Sequence, residues 1–433
     1  MKQVLWLTLV CAWTALPQAA TEARPEAKVE AQPTAAAVEE AIAQLSKLTG
    51  MRPVKKVQFD TISKTQFKHY LDETIQEHIK PEDLRVQELA LKRFGLVPTD
   101  FDLMRTTVDL LTEQAAAFYD YRKKKLFLME GGDPDSQPML VMHELAHALA
   151  DQHFDLGKFM KRGNNDDESL ARMAVLEGQA TWLMLESVAQ KMGASLKSVP
   201  AMAEAMSGAT DQMTAQYPVL NSAPLYIRAS LLFPYKEGFR FQHALVQKMG
   251  EAAFPKIFKE APASTQQILH PEAYLAGTKP TEPPLPELAN ATTFKELTKS
   301  TVGEFDHAVL IEQYVGKEES ARLAPMWRGG TLGLLEHKLD KHVVLLYASE
   351  WKDEEAARSM FEAYRKVLEK KNKKISVDSA QGNTIAGTSD QGAFHLRITG
   401  RFVAAVEGMK SIAELKNLTA ALKSLRADAA SQY

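Results

Sequence analysis

Apolar residues recur every three or four positions along much of the chain, which is the spacing of one face of an α-helix. This spacing begins at Val38 and continues through Ile42 and Leu45. The short stretch 54–59 alternates instead between apolar and polar residues and predicts a β-strand. Further helices are predicted over 65–94, 102–113 and 167–190, with more helical segments to about residue 259.

Residues 115–129 contain two runs of β-forming residues on either side of the polar stretch 120–124, a pattern typical of a β-hairpin. The sequence GGDPDSQP then interrupts the pattern and supplies Asp135 or Ser136 as the N-cap of a helix that opens near Pro138. The polar residues 157–168 predict a loop between this helix and the next one.

The proline-rich segment TKPTEPPLPEL, residues 278–288, marks a predicted domain boundary. We predict an α+β protein, in which a mostly helical domain over 38–280, with a small β-hairpin or sheet near its N-terminus, precedes a small α+β domain over 281–433. The strands of the second domain are predicted near 332–337, 343–348, 394–399 and 402–406, and its helix over 354–370.

The first 23 residues have the composition of a secretory signal peptide. One lysine precedes a largely apolar run over 4–16, and small residues follow at Ala19, Ala20 and Ala23. Residues 24–37 are rich in Ala, Glu, Pro and Thr and predict a flexible spacer. No later run approaches the roughly 18 apolar residues of a transmembrane helix. We therefore expect an exported protein, secreted or periplasmic, whose mature chain has no stable membrane anchor.

Composition restricts the chemistry further. The formal net charge is −3 and charged residues make up 25% of the chain, which indicates a soluble globular protein and gives no sign of a nucleic-acid partner. Cys11 is the only cysteine; it lies inside the apolar run, without the small residues that precede a lipid-attachment cysteine. The mature chain therefore has no thiolate, and any metal site must use His, Asp, Glu and water. The oligomeric state has no signature in the sequence.

The segment VMHELAHALADQHFDL, residues 141–156, carries the strongest chemical signal in the chain. His143 and His147 are four positions apart and share one face of a helix. Glu144 lies beside His143, where it could take a proton from a metal-bound water without binding the metal. This H-E-x-x-H pattern is typical of zinc peptidases and predicts one bound Zn²⁺.

A catalytic zinc site needs a third protein ligand besides the two histidines. His153 completes the spacing of the metzincin pattern, but Ala150 favours a continuing helix on which His153 faces away. Glu177 lies in the mostly apolar sequence AVLEGQATW, where an unpaired carboxylate would be costly. We therefore favour Glu177 as the third ligand and keep His153 as the alternative.

HELAHALADQHFDL followed by VLEGQATW resembles the gluzincin group of zinc metallopeptidases, in which H-E-x-x-H is followed by a glutamate on the next helix. The chain also resembles uncharacterised exported bacterial proteins of this type, through AAAFYDYRKKKLFL, STQQILHPEAYL and the segment 356–364. This resemblance covers about residues 40–410. It implies a zincin-like fold for 38–280 and peptidase activity, and such relatives often carry an acidic residue where Gln179 stands.

The expected mechanism is hydrolysis of a peptide bond by a zinc-activated water, with Glu144 as the general base. The predicted strand Lys125–Met129, just before the motif, could offer an open edge to an extended peptide or protein substrate. A secreted protein that binds zinc on the same scaffold without catalysis is the alternative, since only a catalyst needs Glu144.

Three further residues are candidates for supporting roles. Tyr235 and His270 could stabilise the developing oxyanion, because both lie in irregular, proline-containing segments of the same predicted domain. Asp151, one turn beyond His147, could orient a ligand imidazole or could be a solvated residue near the helix end.

Overall fold

A computed structural model describes most of the chain. The described residues are 10–12, 35–131, 137–198, 217–288 and 291–411. The predicted signal peptide and spacer lie outside them apart from 10–12 and 35–37, as do the predicted N-caps Asp135 and Ser136. Within the described ranges, no helix is both long and apolar enough to cross a membrane.

Helices make up most of the described chain before the proline-rich segment. Three of them build the candidate site, and we call them the motif helix (Gln137–Phe154), the carboxylate helix (Asp166–Lys191) and the proline helix (Leu225–Met249). The other α-helices of this part are Ala35–Thr49, Lys64–His78, Pro81–Phe94, Leu103–Gln114, Leu156–Lys161, Pro218–Ser222, Ala253–Lys259, Thr265–Leu269 and Pro271–Ala276.

Local signals fix where these helices begin and end. The Ser63 side chain accepts a hydrogen bond from the Gln66 N–H, and the Gln66 side chain accepts one from the Ser63 N–H. This reciprocal cap starts the helix Lys64–His78. The helical pattern predicted over 65–94 is divided into two helices at Pro81, since a proline lacks the N–H that a continuous helix would need.

Two predictions along this part are wrong in detail. The first half of the predicted loop 157–168 is helical, because Asp155 caps the helix Leu156–Lys161 and three of its apolar side chains are buried. The strand predicted over 54–59 lies slightly later, at Gln58–Ile62.

A small sheet lies against the motif helix. Its strands are β1 (Val10–Ala12), β2 (Gln58–Ile62), β3 (Ala117–Asp120) and β4 (Lys125–Met129), in the order β1-β3-β4-β2. The predicted hairpin is confirmed, since β3 and β4 pair antiparallel. The prediction that Lys125–Met129 has an open edge is wrong. β3 pairs with one side of β4 and β2 pairs in parallel with the other side, so β4 is an interior strand.

A seven-stranded antiparallel sheet follows the proline-rich segment. Its order is β5-β6-β7-β11-β10-β9-β8, and the helix Glu354–Lys371 packs on β7, β10 and β11. The four predicted strands and the predicted helix are confirmed, whereas three strands, over 294–301, 375–381 and 384–389, were not predicted; the second of these is mostly exposed and has no buried apolar face. The strands are β5 Phe294–Thr301, β6 Trp327–His337, β7 Val343–Trp351, β8 Ile375–Gln381, β9 Thr384–Ser389, β10 Gly392–Thr399 and β11 Phe402–Met409, and the remaining α-helices are Glu304–Tyr314 and Lys317–Leu323.

The helical part and the seven-stranded sheet share a hydrophobic core. Leu145 of the motif helix and Leu176 of the carboxylate helix belong to the same buried cluster as Leu345 and Phe394 of the sheet. The protein is therefore a mixed α+β structure with a C-terminal sheet, and the predicted boundary at 278–288 joins two parts that pack on one another.

Candidate metal centre

The motif helix places its two histidines on one face. It runs unbroken through Ala150 to Phe154, so residues one turn apart point in the same direction. The carboxylate helix packs against this face and brings Glu177 to it. His143, His147 and Glu177 are 3%, 1% and 2% exposed, so the three predicted ligands meet in the protein interior.

Three potential ligand atoms converge on a single point. His143 Nε2 lies 3.0 Å from His147 Nε2 and 3.1 Å from Glu177 Oε2, and His147 Nε2 lies 3.6 Å from the same oxygen. A tetrahedral Zn²⁺ with bonds of roughly 2.0–2.2 Å holds its ligand atoms about 3.3 Å apart. The observed separations of 3.0–3.6 Å bracket this value, so the three atoms are spaced as the ligands of one zinc ion would be.

Hydrogen bonds cannot explain all three short contacts between His143, His147 and Glu177 at once. A neutral imidazole carries one proton, and the same Nε2 cannot donate to Glu177 while accepting from the other histidine. At most two of the three short contacts can therefore be hydrogen bonds at one time. A cation at the centre would satisfy all three atoms together.

Electrostatics favour the ligand forms of these side chains. Burial by itself would raise the pKa of Glu177, but the neighbouring His147 and His143 imidazoles outweigh it and lower that pKa to about 2. Burial lowers the pKa of His147. Glu177 is therefore a carboxylate at neutral pH, which is the form that binds metal.

Glu144 adjoins the centre on the motif helix. It follows His143 directly and is 0% exposed. Gln179 lies two positions beyond Glu177 and is also buried, and its Oε1 accepts no hydrogen bond from the described residues.

The structure places His153 away from the triangle. The motif helix continues past Ala150, and His153 Nε2 lies 2.8 Å from the carbonyl oxygen of Arg52, on the outer side of the helix. This is the direction that helix geometry predicts for a residue six positions after His147.

Tyr235 lies next to the triangle. Its ring stacks on the imidazole of His143, with ring centroids 6.2 Å apart and an angle of 26° between the planes. The sequence analysis placed Tyr235 in an irregular segment, and this prediction is wrong. Tyr235 belongs to the proline helix and directly follows its internal Pro234.

Two glycines that the sequence analysis passed over hold this helix in place. A Cβ on Gly178 would lie 2.2 Å from the backbone of Gly238, and a Cβ on Gly238 would lie 2.2 Å from the carbonyl oxygen of Ala174. The carboxylate and proline helices therefore cross in backbone contact, one residue after Glu177 and three after Tyr235. A glycine inside a helix lowers the stability of the helix by about 1 kcal/mol relative to alanine, so its presence there indicates a position where only a glycine fits.

His270 joins two parts of the fold and has no described contact with the triangle. Its Nε2 lies 2.8 Å from Glu304 Oε1, and the Glu304 carboxylate raises the pKa of His270. The same segment, STQQILHPEAYL, anchors the carboxylate helix, because Thr265 donates its N–H and its hydroxyl to Asp167. Gln266 in turn donates to the carbonyl oxygen of Trp327 at 2.8 Å. The segment thus links the site to the C-terminal sheet.

Asp151 is neither solvated nor bound to a ligand imidazole, so both sequence readings of it are wrong. Its carboxylate accepts hydrogen bonds from the Tyr119 hydroxyl at 2.8 Å, from Lys124 Nζ at 2.7 Å and from the Leu156 N–H at 2.9 Å. Asp151 is 4% exposed and ties the hairpin to the motif helix.

Comparisons with known proteins reach only the C-terminal part. A family model described as a domain of unknown function (DUF8575) matches residues 291–419. This range contains the seven-stranded sheet and excludes the His143, His147 and Glu177 triangle. No curated protein and no solved structure matches the chain.

Proposed function

We propose that this protein is an exported zinc-dependent metallopeptidase of the gluzincin type. His143, His147 and Glu177 would hold one Zn²⁺. The observation that carries the proposal is the convergence of their three ligand atoms, 3.0–3.6 Å apart, beside the helical H-E-x-x-H motif.

The chemistry divides between the ion and the protein. Bound zinc supplies a Lewis acid that makes water nucleophilic near neutral pH and polarises a carbonyl. Glu144 is the general base, which takes the proton of the attacking water and returns it to the leaving amine.

We assign Tyr235 the role of oxyanion stabiliser. Its ring lies beside the His143 imidazole, with ring centroids 6.2 Å apart, and a phenol is a suitable hydrogen-bond donor for a carbonyl oxygen that becomes negatively charged during attack. We do not assign oxyanion stabilisation to His270, because its imidazole is paired with Glu304.

Replacement of Glu144 by Gln tests the proposal. The amide keeps the size of the side chain but cannot act as a base, so hydrolysis of a peptide library should fall by about 10²-fold or more. Zinc content measured on the same protein should stay near one ion per chain. Glu251→Gln, an exposed change of the same chemistry, is the matched control and should leave both quantities unchanged. A wild-type protein that holds no zinc would refute the proposal.

A second candidate function has one observation in its favour. The three proposed ligands and Glu144 are all at most 3% exposed, which suits a structural zinc site on a zincin-like scaffold. In that case the wild type would bind zinc and cleave no member of the library, and Glu144→Gln would change neither property.

Export is proposed from the sequence of residues 1–23, which has the lysine, the apolar run and the small residues of a signal peptide. A peptide or protein in the secretory or periplasmic space is accordingly the proposed substrate.

A further inference from the structure

A second group of potential metal ligands lies on the turn between β6 and β7, inside the range 291–419 that matches the domain of unknown function. His337 is the last residue of β6, His342 precedes β7, and Asp340 lies between them in the sequence HKLDKH. We call these three residues the hairpin cluster. One ligand atom from each lies within 4.8 Å of the others.

The two imidazoles face the same carboxylate oxygen. His337 Nδ1 lies 2.8 Å and His342 Nδ1 lies 2.5 Å from Asp340 Oδ1. We propose that the hairpin cluster is a second binding site for a divalent transition-metal ion, separate from the site of the proposed peptidase function. Two imidazoles and a carboxylate are a donor set that suits zinc and its neighbours in the first transition row.

The fold holds both imidazoles in position before any ion binds. Phe294 of β5 pairs directly with His337 in the sheet, and its ring packs against the imidazoles of His337 and His342 at centroid distances of 5.2 and 5.5 Å. The turn closes through a hydrogen bond of 2.9 Å from the His337 N–H to the His342 carbonyl. Lys341 adopts a φ of 62° to make this possible. Little side-chain ordering therefore remains to oppose metal binding.

Lys410 holds the other oxygen of the same carboxylate. Its Nζ pairs with Asp340 Oδ2, which leaves Oδ1 directed at the imidazoles. Carboxylates that bind metals are commonly held by a hydrogen bond in this way. The ammonium also repels an incoming cation, so we expect weaker binding here than at the buried triangle.

The cluster is open enough for water to complete the coordination. The side chains of His337 and His342 are 20% exposed and that of Asp340 is 33% exposed. The oxygen-to-nitrogen separations of 2.8 and 2.5 Å are shorter than the about 3.3 Å of a tetrahedral site. Binding must therefore lengthen these two separations by about 0.5 and about 0.8 Å, and any proton on either Nδ1 must leave.

Zinc titration of the full-length protein tests the inference. The expected result is that His337→Ala combined with His342→Ala removes one zinc ion per chain, measured after dialysis against buffered Zn²⁺ and by calorimetry. Asp340→Asn should weaken the same ion at least tenfold. His69→Ala, which removes an exposed histidine from a helix, is the control and should remove no ion. Heat of binding in two buffers of different ionisation enthalpy should show proton release at this site.

The proposal for the hairpin cluster and the proposal for the triangle can be tested independently. His143→Ala combined with His147→Ala should abolish the ion of the triangle and leave the ion of the hairpin cluster. The hairpin proposal is overturned if the His337 and His342 variant binds as many zinc ions as the wild type, whatever the triangle does. The hairpin variants lie on a surface turn, so this comparison stands even if the triangle variant does not fold.

Discussion

At the scale of single residues, Glu177 distinguishes the candidate centre from a pair of helical histidines. Its carboxylate oxygen lies 3.1 Å from His143 Nε2 and 3.6 Å from His147 Nε2, and it is held as an anion in a buried position. A buried anion without a cation would be costly. The residue therefore makes the strongest single test of zinc binding.

We predict that Glu177→Ala weakens zinc binding by more than about 100-fold. Loss of a ligand should cost more than loss of a partner that only orients a ligand, which typically costs 10–100-fold. Competition with a zinc chelator of known affinity measures the effect. His153→Ala should leave the affinity unchanged, because His153 contacts Arg52 on the outer side of the motif helix. The reverse pattern would favour the metzincin register.

At the scale of elements, the close crossing of the carboxylate and proline helices positions the site. Gly178 and Gly238 bring the two backbones into contact, and Trp182 Nε1 donates to His243 Nδ1 at 3.3 Å further along. Trp182 follows Gly178 on one helix and its partner His243 follows Gly238 on the other, so the two helices run in the same direction. Tyr235 reaches His143 because the crossing is this tight.

We predict that Gly238→Ala destabilises the protein by about 1–3 kcal/mol or more, since the added Cβ would overlap the carbonyl oxygen of Ala174. Thermal and denaturant unfolding measure the loss, and any folded variant should show a lower kcat because Tyr235 moves away from His143. Arg240→Ala, on an exposed position of the same helix, should change stability by less than about 0.5 kcal/mol. Equal stability of the two variants would contradict the crossing.

At the scale of the whole molecule, a group of buried carboxylic acids joins the carboxylate helix to the C-terminal part. Burial raises the pKa of Asp167 to about 8, with contributions from the nearby Asp306 and Glu304. Burial likewise raises the pKa of Asp306 to about 6, and Tyr226 donates a hydrogen bond to it at 3.0 Å. The facing imidazole of His270 pairs with Glu304. Burial therefore favours the protonated forms of Asp167 and Asp306 at this junction.

The contribution of Asp167 to the stability of the protein should consequently fall as the pH rises. An unfolded Asp loses its proton near pH 4, whereas folded Asp167 keeps it to about pH 8, so the folded state binds more protons between these values. The contribution of Asp167 is fully present below pH 4 and is lost progressively up to about pH 8. Asp167→Asn, which cannot ionise, should flatten this slope in denaturant unfolding measured from pH 5 to 8.5. An unchanged slope would exclude Asp167 as its source.

The sequence by itself determined the features that depend on neighbours along the chain. The hairpin, the motif helix with its paired histidines and the long carboxylate helix all follow from periodicity and turn residues. Glu177 was reached by a similar argument, because an apolar neighbourhood makes an isolated carboxylate costly. Within the C-terminal part, the apolar pattern located four of the seven strands and missed β5, β9 and the mostly exposed β8.

Only the tertiary structure decided which distant residues meet. It closed both sides of β4, paired His270 with Glu304, turned Asp151 towards the hairpin and set Tyr235 against His143. It also gathered the hairpin cluster beside Phe294 and Lys410. Local spacing fixes the direction of a side chain on its own helix or strand. The partner it meets depends on how helices and strands pack, and that is set by burial and close contact across the whole chain.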